Sequence, residues 1–476
     1  MRVDCVIVGG GISGLAAAHE LNRRGISFML VESAARYGGL IRTEHIDGFV
    51  VDAGPDALLT QKPAAIELCR ELGVAVSPAR STRAFVARHG RLRALPEAGV
   101  FGIPTDWMSF ARSRAFSTVG KLRMAGEYFL PPLPTQPGDD ESIASFVARR
   151  FGREALKRLG EPLLAGIHGG DAERLSMRAL FPRFLDLERT DGSVIRGLRR
   201  LRREHASPSA APFVSIYGGT GSLVTALIAS LPPESLVSNV AVRGLEMGNE
   251  WRVHLEDGSY VDAATVLLAT PPRVSARLVE SLDASLSTLL GRVRDVPLIT
   301  VALGYARKAV RHPLAGSGFV VPASEDATVN AVTWMSSKWM GRAPDDHVLL
   351  RAIVGGARHP DASSWSDTDI LTRVRDDVRR YLRVSGSPVF TRMYRMPHAG
   401  VQLDTGHLNL IAEVVMRIDR LPGLFVSAAG IRGVGLADCI GDARAQAIAA
   451  TRHARRADRF TTTNREALQS RHAAHH

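Results

Sequence analysis

Short apolar runs alternate with stretches of helical period along the chain. Residues 5–8 are uniformly apolar and lead into Gly9-Gly10-Gly11-Ile12-Ser13-Gly14, after which alanine-rich sequence continues to Leu21, so strand, tight loop and helix are predicted in that order. A second apolar run, 28–31, ends at Glu32, eighteen residues past Gly14, and closes one βαβ unit. From about 83 to 212 proline-punctuated amphipathic segments replace the strand-like runs. Phe129-Leu130-Pro131-Pro132-Leu133-Pro134 separates helical patterns there, and 142–150 reads as a further helix. Tyr217-Gly218-Gly219-Thr220-Gly221 then turns into a helix over 223–228. Trp251, Val253 and Leu255 alternate with polar residues, Asp257-Gly258 supplies a hairpin turn, and 266–269 forms a buried strand. Runs at 298–303, 319–321 and 348–354 predict a second sheet. Residues 424–430 read as a strand entering a glycine loop, 442–451 as a helix.

The pattern predicts an α/β chain (α+β overall) in which a Rossmann-like nucleotide-binding domain is assembled from 1–82, 213–274 and 401–457. It is interrupted by a helical insertion over 83–212 and a mixed-sheet domain over 275–400. A disordered tail, 458–476, contains Thr461-Thr462-Thr463 and the histidines His472, His475 and His476.

Composition supports a globular chain of two or three domains: 476 residues, 45% hydrophobic, 23% charged, mean hydropathy +0.01, with no apolar run long enough to span a bilayer. The N-terminus lacks the regions of a secretory signal, so a cytoplasmic protein beginning at Met1 is expected. Cys5, Cys69 and Cys439 are too dispersed for a disulfide framework or a cysteine zinc site, and the histidines, among them His168, His398 and His407, read as structural; no metal is expected. Net charge is +12, but only five of the 60 basic residues are lysine, and the arginines are dispersed. Without a recognition signature, that argues for compositional bias and against a nucleic-acid partner.

The glycine loop carries the clearest chemistry. Gly9 permits the tight turn, Gly11 lets backbone approach a pyrophosphate, Gly14 allows close packing of helix on strand, and the helix N-terminus favours the diphosphate. Glu32 accepts from a ribose hydroxyl and repels a 2′-phosphate, which disfavours NADP.

Downstream lie Arg36, Gly38-Gly39, Arg42-Thr43 and Gly48-Phe49-Val50-Val51-Asp52-Ala53-Gly54-Pro55. This pattern resembles the FAD-containing amine oxidase superfamily. Pro162-Leu163-Leu164-Ala165-Gly166-Ile167-His168-Gly169-Gly170-Asp171 with Leu175-Ser176-Met177 and Phe181-Pro182 is similar to a block of protoporphyrinogen oxidases. So are Gly102-Ile103-Pro104-Thr105-Asp106, Lys121-Leu122-Arg123 with Phe129-Leu130, and the closing Gly433-Val434-Gly435-Leu436-Ala437-Asp438-Cys439-Ile440. The resemblance extends to about residue 455.

It implies a noncovalent FAD enzyme that oxidises protoporphyrinogen IX to protoporphyrin IX in haem biosynthesis, with oxygen as acceptor and hydrogen peroxide as product. Coproporphyrinogen III is the alternative substrate; an amine oxidase or carotenoid desaturase is a more distant alternative. Carried over, cofactor contacts fall on Gly9, Gly10, Gly11, Ile12, Ser13, Gly14, Glu32, Ser33, Gly39, Gly54, Pro55, Asp56, Val242, Val434, Gly435 and Leu436, with the helix after Gly441 aimed at the flavin. The resemblance puts Arg83, Gly166, Leu314, Trp334 and Ile353 around the substrate. For Trp334 core packing is a rival reading, and for Arg83 plain solvation. Asp56 stands where the family often carries asparagine; it is either a carboxylate handling a pyrrole N–H or a turn residue. Phe101, Trp107, Met108, Phe110, Phe116, Leu122, Met124 and Phe129 lie among Arg112, Arg114, Lys121 and Arg123, which suits either peripheral attachment to a membrane surface or an amphipathic helix pair packed on the substrate domain. A homodimer is a further expectation.

Overall fold

A computed structural model describes residues 1–96, 103, 105–132, 138–204 and 211–473, with side chains considered through residue 456. Phe101, Gly102, Pro104, Leu133, Pro134, His475 and His476 lie outside the described residues.

The first seven-stranded sheet is built on the predicted βαβ unit. Arg2–Val8 pairs in parallel with Phe28–Glu32 on one side and Tyr260–Leu268 on the other, so that Val8 sits between Val31 and Leu268. Leu236–Ser238 and Leu424–Val426 extend it in parallel, and the hairpin of Val242–Met247 and Trp251–Leu255 closes one edge, with Gly258 at φ 86° in the turn to Tyr260–Leu268. Each face of these apolar strands must be covered. Ile12–Arg23 and Leu436–Ala473 pack on one face; Pro272–Val279, Ala284–Gly291 and His407–Ile418 pack on the other.

The second seven-stranded sheet runs in the order Phe390–Val401, Asp295–Ala306, His347–Gly355, Ala331–Trp334, Gly318–Val320, Ala84–Arg88, Arg91–Ala94. One face packs on the helix Asp367–Leu382 through Val301, Leu303, Val348, Leu350 and Val378. Its other face meets the first domain and the helical region.

Three expected boundaries shift. The hairpin 84–94, expected to open the helical insertion, is the edge of the second sheet; its alternation is masked by flanking arginines, and His89 and Gly90 turn it with φ of 50° and 68°. The helices over 272–291, expected in the second-sheet domain, pack on the first sheet, because a helical apolar stripe does not encode which sheet it covers. The tail expected to be disordered from 458 continues as helix to Ala473, since no glycine or proline follows Gly441 to stop it.

The short helices of the insertion pack against the second sheet through Ala84, Val86 and Val320. Asp106, Ser117, Ser142 and Ser176 each cap the helix that follows by accepting a backbone N–H. At their centre Glu127, fully buried, pairs with Arg150 and accepts from Ser193 Oγ (2.6 Å) and the amides of Val194 and Ile195, capping Val194–Glu204.

Candidate functional site

Three glycine-bearing loops converge at the carboxyl ends of the parallel strands. The first leaves Val8 with Gly9 at φ 105°, its N–H donating to Val31 O at 2.8 Å. A Cβ on Gly14 would overlap the Gly9 carbonyl oxygen, so only glycine lets the helix start this close to the strand. Gly11 differs: its φ is −71°, and a Cβ there would meet nothing within 4 Å. Nothing in the fold requires glycine at that position, but the approach of a bulky ligand to its backbone does. Ile12 opens the helix and Ser13 is buried beside Cys439.

Glu32 ends the second strand with one carboxylate oxygen on this loop and the other turned to the residues that follow it. Oε2 accepts from Gly10 N–H at 2.6 Å and Oε1 from Ala34 N–H at 2.8 Å, with Ser33 Oγ at 3.3 Å. The carboxylate is thus aimed where ribose hydroxyls reach. Val240 N–H donates to Glu32 O at 3.1 Å, so the segment that carries half-buried Val242 runs past this end of the site.

The second loop lies against the first. Gly38 N–H donates to Gly10 O at 2.8 Å, and a Cβ on Gly39 would come within 3.3 Å of Gly11 Cα. Arg36 holds this loop from within, donating to Gly39 O at 2.5 Å and Ile41 O at 3.1 Å. Gly54 in turn has the Leu40 carbonyl where a side chain would sit.

The third loop, through Gly433, Val434 and Gly435, feeds a helix that begins at Leu436, six residues earlier than the expected start at 442. Asp438 accounts for the difference: it accepts from Gly435 N–H at 3.2 Å, turning the chain into the helix, and pairs with Lys62 at 2.7 Å. The N-termini of Leu436–Ala473 and Ile12–Arg23 therefore meet at Cys439 and Ser13, both presenting their positive ends to the loops. Open space at Gly11, the placement of Glu32 and the two helix N-termini fit a dinucleotide diphosphate. Burial pushes the thiol of Cys5 up to about 12, that of Cys69 to about 11 and that of Cys439 to about 12, so none is a thiolate poised for a covalent flavin link.

The segment 52–56 joins the nucleotide loops to the second sheet. Asp52 accepts from Thr43 Oγ1 (2.5 Å) and from Thr220 N–H (3.0 Å) and pairs with Arg342 at 2.8 Å. Thr300 Oγ1 donates to Ala53 O at 2.8 Å, Arg351 donates to Gly54 O at 2.6 Å, and Thr220 Oγ1 to Pro55 O at 3.0 Å. Asp56 is buried, with one oxygen on Arg351 and the other accepting from Trp339 Nε1 (2.7 Å) and Lys338 (3.1 Å). Burial alone would raise its pKa, but Arg351, then Lys338 and Trp339, hold it well below the usual carboxylate range. Such a carboxylate is a fixed anion and a poor proton acceptor.

The substrate set proposed from sequence is split by the second sheet. Strand register places Thr300 opposite Ile353, Ile353 opposite Ala331, and Arg351 opposite Thr333, so these residues share the face turned toward 52–56. Gly166 approaches the same face: a Cβ there would lie 2.9 Å from Ala331 Cβ and 3.4 Å from a Val320 methyl. Trp334 and Leu314, expected beside the substrate, are on the far side instead, 0% and 3% exposed among Phe319, Leu350 and Tyr381. Arg83 is exposed next to them, its guanidinium 5.4 Å from the Phe85 ring, which lies 5.2 Å from Trp334. The physical reason is the two-residue period of a strand: Thr333 faces the loop, and its neighbour Trp334 cannot. Thr300, Thr333 and Arg351 escaped the sequence reading; the signal that finds them is that register.

His168, at the end of Glu161–His168, is pushed down to about 4 by burial and, less, by the Lys62 charge, and stays neutral near pH 7.

The sequence model of the family described as "Flavin containing amine oxidoreductase" matches residues 12–450. The coproporphyrinogen III oxidase of Bacillus subtilis (strain 168) is 32% identical over 456 residues, covering 92% of this chain and 96% of its own. The chloroplastic protoporphyrinogen oxidase of Nicotiana tabacum is 28% identical, covering 92% of this chain and 84% of its own. A crystal structure from Exiguobacterium sp. 255-15, provisionally named a protoporphyrinogen oxidase, superposes with a TM-score of 0.83 at 28% identity over 94% of this chain and 98% of its own.

Proposed function

Because the chain belongs to the flavin-containing amine oxidoreductase family and is an FAD oxidoreductase, we propose that it oxidises coproporphyrinogen III to coproporphyrin III. The observation that carries this reading is the 32% identity, across 92% of the chain, to the coproporphyrinogen III oxidase of Bacillus subtilis. It replaces the protoporphyrinogen preference drawn from motifs alone. Protoporphyrinogen IX stands as the second reading, on the Nicotiana tabacum relative. Removing six hydrogens takes three two-electron cycles, each passing its electrons to oxygen and releasing hydrogen peroxide.

When bound, FAD supplies a two-electron acceptor for hydride from a macrocycle methylene. The protein's own part is binding and orientation. The loops at Gly9–Gly14 and Gly38–Gly39 receive the diphosphate, Glu32 the ribose, and the start of Leu436–Ala473 lays its positive end at the flavin. Gly166, Thr300, Thr333 and Ile353 form a low floor for a flat macrocycle. Asp56 holds that floor to the cofactor loop as a positioning residue, leaving pyrrole protons to solvent. Exposed Met108, Leu122 and Phe129 support peripheral attachment to a membrane face; Phe110, Phe116 and Met124, from the same sequence set, are buried and take no part.

Anaerobic mixing of the purified flavoprotein with each porphyrinogen tests the reading. Rapid flavin bleaching by coproporphyrinogen III, followed in air by coproporphyrin fluorescence, is expected. Bleaching by protoporphyrinogen IX alone would reverse the choice of substrate, and bleaching by neither would end the porphyrinogen assignment.

A further inference from the structure

A second polar cleft lies where the hairpin Ala84–Arg88/Arg91–Ala94 meets the helix Thr118–Ala125. It has a volume of about 550 Å³ and carries Arg88, Arg93, Arg114 and Lys121 on its walls, with hydroxyls of Ser113, Ser117 and Thr118 between them. Arg93 and Arg114 form no ion pair among the described residues. Arg88 donates from one terminal nitrogen to Arg114 O at 3.0 Å, while its buried Nε has no partner. Lys121 donates to Ala111 O at 2.6 Å.

The nearby carboxylates Glu154 and Glu325 offset only part of this charge, and Glu154 is shared between Arg88 and Arg158. Glu154 is taken by Ser117 N–H at 2.8 Å and Ser117 Oγ at 2.5 Å and by Arg158 at 3.1 Å; Glu325 accepts the amides of His89 (2.6 Å) and Gly90 (3.0 Å). The positive excess left around the cleft, with unspent hydrogen bonds, is relieved when a further anion joins it. Their chemistry specifies the anion. A carboxylate, planar and singly charged, is satisfied by one guanidinium, whereas several guanidinium forks and an ammonium around a single cleft, with the Thr118 hydroxyl beside them, suit a tetrahedral group with many oxygens.

We propose that this cleft binds a phosphate-bearing anion, independently of the porphyrinogen reading. Two sources share that chemistry: a soluble phosphorylated molecule and the headgroup of an anionic lipid. Thr118–Ala125 bears on the distinction, because Gly120 and Met124 face the core, Thr118 and Lys121 the cleft, and Val119 and Leu122, 76% and 69% exposed, the solvent beside it.

The test uses the FAD-loaded full-length protein, so that the cofactor's own diphosphate site is filled. Inorganic pyrophosphate binding is measured by calorimetry for the wild type, for Arg93→Gln/Arg114→Gln, and for the charge-matched Arg70→Gln/Arg277→Gln, whose exposed arginines lie on other elements. Saturable binding weakened at least tenfold by the first pair and unchanged by the second is expected. Absent binding, equal weakening by both pairs, or tighter binding of citrate than of pyrophosphate would overturn the proposal. Sedimentation with phosphatidylglycerol/phosphatidylcholine vesicles, but not with phosphatidylcholine alone, that is lost in Arg93→Gln/Arg114→Gln and competed by pyrophosphate identifies the lipid source. Pyrophosphate binding without such sedimentation identifies the soluble one.

Discussion

Gly11 and Gly14 belong to one motif but answer to different constraints. A side chain at 14 would strike the Gly9 carbonyl, whereas one at 11 would enter open space. Gly11→Val should therefore fold with the thermal stability of the cofactor-free protein yet purify without flavin. Gly14→Ala should lose stability by about 1–3 kcal/mol, as overpacking does; a yellow Gly11→Val protein would refute the diphosphate placement. Trp334 makes a similar separation. Buried in the core with its Nε1 unpaired, it should cost about 3–5 kcal/mol on truncation to alanine, read by urea unfolding, with KM unchanged in the protein that still folds. His168 adds a pH signature. Its pKa is about 4 in the fold against an ordinary value of about 6.5, so between these values the unfolded chain binds the extra proton. Its contribution is complete above pH ~6.5 and falls as pH drops toward 4. His168→Asn should remove part of the acid slope in Tm over that window, measured by calorimetry.

At the level of elements, periodicity located most segments: the strand–loop–helix opening, the Asp257-Gly258 hairpin and the helix read over 142–150 all stand where pattern puts them. What pattern left open was the partner of each element. The edge hairpin 84–94 pairs in parallel, through Phe85 and Phe319, with a strand more than two hundred residues away, and no local signal carries that pairing. Glu127 shows the same dependence. It lies in a short helical turn, yet it caps Val194–Glu204 and pairs with Arg150 in a fully buried setting. Breaking such a pair strands the opposite charge, so Glu127→Gln should destabilise the protein by about 3–5 kcal/mol in denaturant titrations. A loss below about 1 kcal/mol would mean that Glu188, 3.3 Å from Arg150, suffices as its partner.

Across the whole molecule, 52–56 joins the glycine loops to the sheet face proposed for the substrate, with Asp56 and Arg351 at its centre. Asp56→Asn should raise the Kd for FAD and the KM for porphyrinogen together, by about tenfold each, the equivalent of ~1.4 kcal/mol, while kcat changes little. A fall in kcat alone, with KM and flavin content preserved, would instead return Asp56 to proton transfer. By itself the sequence determined the loops proposed to hold the nucleotide, because Gly9 to Gly14, Glu32 and Gly38–Gly39 are local in the chain and each glycine or acid answers to a nearby backbone requirement. Tertiary structure alone decided the face proposed for the substrate. Which of Thr333 and Trp334 faces the floor depends on strand register, and the role of Asp56 depends on Arg351, Lys338 and Trp339 brought to it from distant parts of the chain, whose charge and hydrogen bonds override burial and turn a candidate base into a fixed anion.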